Sequence, residues 1–124
     1  DKPRVLLVGY SQGADVLPFM VNRLPVSARS LVAGTALIGL SADAFFEFSV
    51  SHWISTPAGG LPVAPESSPG RLGRVTCIYG AEEQDSLCRS IKSAGLRGVE
   101  LPGGHHFDGD YARVASAVLA GLPP

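Results

Sequence analysis

Hydrophobic residues along the chain form two kinds of pattern, continuous runs and stripes at helical spacing. Continuous apolar runs are typical of strands that are covered on both faces. They occupy residues 4–8, 31–40, 74–80 and, over a shorter stretch, 97–103. Apolar residues three and four positions apart predict helices. These helices span residues 12–24, 85–95 and 111–122.

Strands and helices that alternate in this way predict an α/β fold. Its sheet is expected to contain about four mostly parallel strands with flanking helices, since right-handed crossovers through helices connect parallel strands. A chain of 124 residues has room for one core, so we expect a single domain over residues 1–124. Pro18 is expected to kink the first helix because it removes one backbone donor.

Residues 41–73 interrupt the alternation. Four of the chain's ten prolines lie in this segment, together with an aromatic group formed by Phe45, Phe46, Phe48 and Trp53. A long insertion in a compact domain is more often a lid or a binding loop than a linker. The aromatic side chains would equally suit a patch on the core, and the sequence leaves both interpretations open. His52 is interpreted as a surface or packing residue.

Composition and charge exclude several classes of function. Ten basic and eleven acidic residues give a net charge of −1 without a cluster of Lys or Arg, so nucleic acid is not an expected partner. The chain contains no CxxC or HExxH pair that would hold a metal, and we expect neither a metal nor a cofactor. Cys77 and Cys88 lie eleven residues apart, a spacing that leaves a disulfide and two free thiols equally open.

The segment Gly9-Tyr10-Ser11-Gln12-Gly13 matches the pattern G-x-S-x-G and stands between a predicted strand and a predicted helix. This context is typical of a nucleophile elbow, in which a sharp turn lifts a serine above the sheet edge. Ser11 is therefore the candidate nucleophile. The backbone N–H of Gln12, at the start of the helix, is the first candidate donor to an oxyanion. A serine in a glycine-rich turn without chemistry is the alternative.

A nucleophilic serine needs a base and an acid, which follow in the order serine, acid, histidine in hydrolases with this elbow. Glu83 and Asp85 follow the third strand, and His105 and His106 follow the fourth. We favour Asp85 because it is shorter and stands where a helix would be capped, and we favour His106 because Phe107 could pin its ring. Glu83 and His105 are the alternates. Either carboxylate could instead serve only as a helix cap.

Three segments, GYSQGADVLPF, CIYGAEEQDSLC and LPGGHHFDGDY, give the chain its resemblance to a known family. The chain resembles the VirJ/AcvB family of bacterial virulence proteins, in the α/β-hydrolase superfamily. The resemblance implies a periplasmic protein similar to a serine esterase, which hydrolyses lysyl-phosphatidylglycerol at the membrane surface. An oxidising periplasm also favours a disulfide between Cys77 and Cys88.

The front of the chain departs from the superfamily, in which several strands precede the elbow strand and an early loop supplies the second oxyanion donor. Only four residues precede Val5 here. We therefore expect the C-terminal portion of an α/β-hydrolase fold, completed by a preceding segment or by a partner chain. The competing hypothesis is a non-catalytic periplasmic interaction module in which Phe45, Phe46 and Trp53 make the contacts.

Overall fold

A parallel sheet forms the centre of the computed structural model, which describes residues 4–46, 59–91 and 93–123. In chain order the strands are β1 (Val5–Tyr10), β2 (Val32–Ile38), β3 (Asp43–Ala44), β4 (Leu61–Pro62), β5 (Arg74–Gly80) and β6 (Leu96–Leu101). Four of them form the parallel sheet in the order β1-β2-β5-β6, and β3 and β4 form a separate antiparallel pair. This arrangement confirms the predicted α/β fold and its four-stranded parallel sheet.

The helices, in chain order, are α1 (Gln12–Asn22), α2 (Val26–Arg29), α3 (Pro69–Leu72), α4 (Leu87–Ser90) and α5 (Tyr111–Ala120). The helix predicted over 85–95 contains only the four residues of α4, because Ile91 adopts an extended backbone after it. Partly buried Ile91 packs against the core from that conformation, so its burial overrides the local helical pattern. Within the described residues, none of the helices combines the length and the apolar character that crossing a bilayer requires.

Two hydrophobic clusters cover the two faces of the sheet. Phe19 and Val21 of α1 belong to the first cluster, and Val114 and Val118 of α5 belong to the second. Leu37 and Ile38 of β2 lie in different clusters, because neighbouring residues of a strand point to opposite faces. The continuous apolar runs of the central strands β2 and β5 follow from this covering of both faces. The run in β1 was expected to be covered on both faces as well, but this strand lies at the edge of the sheet, and Val5 and Val8 are 41% and 51% exposed.

The described parts of the 41–73 segment contribute to the core. Val63 and Leu72 are fully buried in the first cluster. Phe46 is 53% exposed, although its ring contacts the ring of Phe19 edge-on with centroids 5.1 Å apart. Phe48, His52 and Trp53 lie outside the described residues.

A disulfide joins Cys77 of β5 to Cys88 of α4, and both residues are buried. The pairing that the family resemblance implied is thereby confirmed. The bond joins two residues eleven positions apart and closes a loop that carries Glu83 and Asp85. It therefore ties the segment after β5 to the sheet.

The carboxyl ends of the parallel strands meet at one edge of the sheet, where ligands bind in open α/β folds. Ser11 follows β1, Gly39 follows β2, Glu83 follows β5 and His105 follows β6. Residues that are far apart in the sequence are thus brought together by parallel pairing.

Candidate active site

The turn that carries Ser11 joins β1 directly to α1. Ser11 has φ 57° and ψ −123°, a conformation that costs an L-residue about 1–3 kcal/mol and that often marks functional sites. A side chain at Gly9 would place its Cβ 2.6 Å from the carbonyl oxygen of Gly13, so the turn requires glycine there. Apart from its chain neighbours and the backbone of α1 itself, no heavy atom of the described residues lies within 4 Å of a Cβ built at Gly13, so this second glycine is not required for space. The backbone N–H of Ser11 donates to the carbonyl of Ile38 at 2.8 Å and holds the turn against β2.

Ser11 Oγ lies 2.8 Å from Nε2 of His105, and Nδ1 of the same ring lies 3.0 Å from Oε2 of Glu83. A carboxylate only accepts hydrogen bonds, so Nδ1 of His105 carries the proton and donates it to Glu83. In the neutral ring Nε2 is then the acceptor, and the Ser11 hydroxyl donates to it. This is the arrangement of nucleophile, base and orienting acid that activates a serine.

Glu83 is held in place from several sides, and its side chain is only 11% exposed. Its second carboxylate oxygen, Oε1, accepts the backbone N–H of Gly80 at 2.9 Å. The Arg89 guanidinium donates to the carbonyl of Glu83 at 3.2 Å and to that of Ala81 at 2.7 Å. These contacts fix the backbone of the turn after β5, so that the Glu83 carboxylate reaches His105.

The two residues favoured from the sequence lie beside this chain of hydrogen bonds. Asp85 is exposed, and Ser86 occupies the capping position expected for Asp85, since its Oγ accepts the N–H of Cys88 at 3.3 Å. His106 Nδ1 lies 3.1 Å from the Tyr10 hydroxyl. The structure therefore brings Ser11 together with the alternates Glu83 and His105.

Gly39, which the sequence analysis did not single out, makes room for the histidine. Its φ is +67°, and a Cβ there would lie 2.6 Å from Cε1 and 2.9 Å from Nδ1 of His105. The available signal was a glycine at the carboxyl end of a predicted strand. Gly80 has a similar role, because a Cβ on it would collide with the carbonyl oxygens of Gly103 and Gly104 in the loop before His105.

Asp15 is a second residue that the sequence analysis did not single out. It is a buried carboxylate on α1, and its Oδ1 accepts the backbone N–H of Ser41 at 2.7 Å. Burial raises the pKa of Asp15 above its ordinary value, although the hydrogen bonds from Ser41 and the charge of His105 act in the opposite direction. Asp15 thus anchors the turn after β2 that contains Gly39.

Gln12 is the first residue of α1, so its backbone N–H has no acceptor within the helix. That donor stands next to Ser11, where a helix N-terminus favours negative charge. The side chain of Gln12 points elsewhere, and its Nε2 donates to the carbonyl of Phe45 at 3.0 Å. This bond connects the elbow to the segment after β3.

A cavity of about 650 Å³ opens beside His105. Among the described residues that line it are three further acidic residues, Asp43, Glu82 and Asp85, and none of these described lining residues is Lys or Arg. Among the described residues, no group of three or more His, Cys, Asp or Glu side chains could hold a metal ion. The cavity therefore presents negative charge beside His105, the residue whose Nε2 lies 2.8 Å from Ser11 Oγ.

The family model described as bacterial virulence protein (VirJ) matches residues 1–123 of the chain. No curated protein and no solved structure matches this chain significantly.

Proposed function

Since the chain belongs to the VirJ family of bacterial virulence proteins, we propose that it is a serine hydrolase of the esterase type. The observation that carries this proposal is the hydrogen-bonded chain from Ser11 through His105 to Glu83. A strained strand-to-helix turn beneath Ser11 is the geometry of a nucleophile elbow, which also supports an α/β-hydrolase fold.

In the proposed reaction His105 Nε2 takes the hydroxyl proton as Ser11 Oγ attacks the carbonyl carbon of an ester. Negative charge develops on the carbonyl oxygen, and the backbone N–H of Gln12 stabilises it. The tetrahedral intermediate collapses, and His105 returns the proton to the departing alcohol. Water then attacks the acyl-enzyme with His105 again as base and releases the acid. Glu83 orients the ring and stabilises its protonated form in both steps.

We propose an aminoacyl ester as substrate, namely lysyl-phosphatidylglycerol at a membrane surface, as the resemblance to the family implies. Asp43, Glu82 and Asp85 support this choice because their carboxylates suit the ammonium groups of a lysyl ester. The leaving group is the glycerol hydroxyl of the lipid, and no cofactor is required.

We propose a periplasmic location for the protein. A structural disulfide between buried cysteines is compatible with a compartment outside the cytoplasm. The periplasm would also give the enzyme access to aminoacylated phospholipids.

A fluorophosphonate probe tests the proposed chemistry, because it reacts covalently with an activated serine. Labelling of the wild-type protein is expected, together with its loss in Ser11→Ala. Ser116→Ala is the matched control, since this hydroxyl lies on α5 and donates to the carbonyl of Ala112 at 3.0 Å. A folded wild-type protein that is not labelled would refute the hydrolase and leave the non-catalytic interaction module as the better hypothesis.

The substrate is tested separately with vesicles that contain lysyl-phosphatidylglycerol. Release of free lysine by the wild-type protein, and not by Ser11→Ala, is the expected result. Glu82→Gln should raise KM more than it lowers kcat, because it removes charge from the cavity and leaves the serine chemistry intact. Probe labelling without lysine release would retain the esterase and exclude this lipid.

A further inference from the structure

Tyr10, the residue between Gly9 and Ser11, contacts both histidines of the loop after β6. Its ring stacks on the ring of His105, with centroids 5.2 Å apart and planes 26° apart. Its hydroxyl lies 2.8 Å from the carbonyl oxygen of His105 and 3.1 Å from Nδ1 of His106. Ser11 and the residue that holds the loop of His105 are therefore adjacent in the sequence.

The direction of these two hydrogen bonds follows from the number of protons. A tyrosine hydroxyl has one proton, and the carbonyl of His105 can only accept it. The Tyr10 oxygen must then accept the second bond, so Nδ1 of His106 carries a proton and donates it. Hydrogen bonds thus run from His106 to Tyr10 and from Tyr10 back to the main chain of His105.

Burial raises the pKa of Tyr10 above its ordinary value, and the nearby Tyr111 and Glu83 add to the effect. The hydroxyl therefore keeps its proton at neutral pH and remains a donor.

Several residues together fix the position of His105. Glu83 holds Nδ1 at the edge of the ring, and Gly39 leaves space beside Cε1. Tyr10 covers a face of the ring and holds the backbone carbonyl from which the side chain projects. Without the Tyr10 hydroxyl, the loop would lose its bond to the elbow strand while the ring kept its bond to Glu83.

We propose that Tyr10 is a positioning residue, which together with His106 holds the main chain of His105 so that Nε2 faces Ser11. This proposal rests on the proposed hydrolase function. It gives His106 a definite task that differs from that of the base.

Tyr10→Phe tests the proposal because it keeps the stacked ring and removes only the hydroxyl. The rate of fluorophosphonate labelling is expected to fall about five- to tenfold, the effect of one neutral hydrogen bond. With an ester substrate the loss should lie in kcat and not in KM, since the base acts in the transition state. Tyr79→Phe is the matched control on β5. It should label at the wild-type rate, because it also removes only a hydroxyl and keeps the ring whose centroid lies 5.1 Å from the guanidinium carbon of Arg89.

Variants of His106 supply the second arm of the test. His106→Ala removes the donor to Tyr10 and should slow labelling in the wild-type background more than in Tyr10→Phe, because the two side chains act as one unit. His106→Asn keeps an N–H near the position of Nδ1 and should recover part of the loss. Equal losses for the alanine and asparagine variants would contradict the proposed bond.

The nuclear magnetic resonance signal of the His105 Nδ1 proton gives a readout that does not depend on catalysis. It is assigned by its loss in His105→Gln, and it should shift or broaden in Tyr10→Phe but not in Tyr79→Phe. An unchanged signal in Tyr10→Phe overturns the positioning role, and so does an unchanged labelling rate when the wild type is labelled. If the wild type is not labelled, the hydrolase proposal fails while this signal alone decides whether Tyr10 positions the ring.

Discussion

Replacing Gly39 by alanine is expected to separate His105 from Ser11 without altering any of the three hydrogen-bonded side chains. The new Cβ would lie 2.6 Å from Cε1 of His105, whereas ordinary contacts begin at 3.4 Å. The ring must therefore retreat by about 0.8 Å. We expect the ring to move away from Ser11, and a movement of that size would lengthen the bond from Ser11 Oγ to His105 Nε2, now 2.8 Å, to about 3.6 Å, beyond hydrogen-bond range.

Misplacement of a reacting group by about 1 Å lowers rates on the order of 100-fold. We expect a loss of that size in the rate of fluorophosphonate labelling by Gly39→Ala. Alanine at φ +67° also costs about 1–2 kcal/mol of backbone strain, so the midpoint of thermal unfolding should fall as well. The two effects must be distinguished by a control.

Gly109→Ala supplies that control. Gly109 has φ +76°, close to that of Gly39, but apart from its chain neighbours no heavy atom in the described part of the chain lies within 4 Å of its Cβ position. This variant should lose similar stability and keep most of its labelling rate. If Gly39→Ala labels within about threefold of Gly109→Ala, the proposed contact between Gly39 and His105 does not control the reaction, and the reasoning from ring displacement fails.

Three further predictions concern the acid, the disulfide and the buried carboxylate. Glu83→Gln should slow labelling roughly 100-fold or more, since an amide cannot stabilise the protonated ring, and Asp85→Asn should slow it much less; the reverse order would return the acid role to Asp85. Replacing both Cys77 and Cys88 by alanine should lower the free energy of unfolding in urea by about 3 kcal/mol, the loop-closure value for a separation of eleven residues, and a loss near zero would contradict a stabilising role of the disulfide. Folding raises the pKa of Asp15 above its ordinary value of 3.8, so the folded state keeps the carboxyl proton to a higher pH than the unfolded state does. The free energy of unfolding therefore falls as the pH rises from 3.8 to the pKa of the folded state. Asp15→Asn keeps an acceptor for the Ser41 N–H and should abolish this fall, which urea unfolding between pH 4 and pH 7 would measure; an unchanged slope would exclude Asp15 as its source.

The architecture was predictable because burial on both faces leaves a continuous apolar run in the central strands β2 and β5. Neighbouring residues such as Leu37 and Ile38 enter different clusters, so both faces of the strand are mainly apolar. The length of α4 was not predictable, since local spacing favoured a longer helix. Burial of Ile91 in an extended conformation decided where that helix ends.

The sequence by itself determined the strand-to-helix turn around Ser11 and the segments in which an acid and a histidine would follow. It favoured Asp85 over Glu83 and His106 over His105 on slight differences, because neighbours in a loop share the same local signals. The tertiary structure instead brings Glu83 and His105 to Ser11 through contacts across the sheet edge. The close approach of Gly80 to the loop before His105, and the space beside Gly39, direct that one ring toward Ser11. Packing of this kind depends on residues distant in the chain, and no local pattern records it.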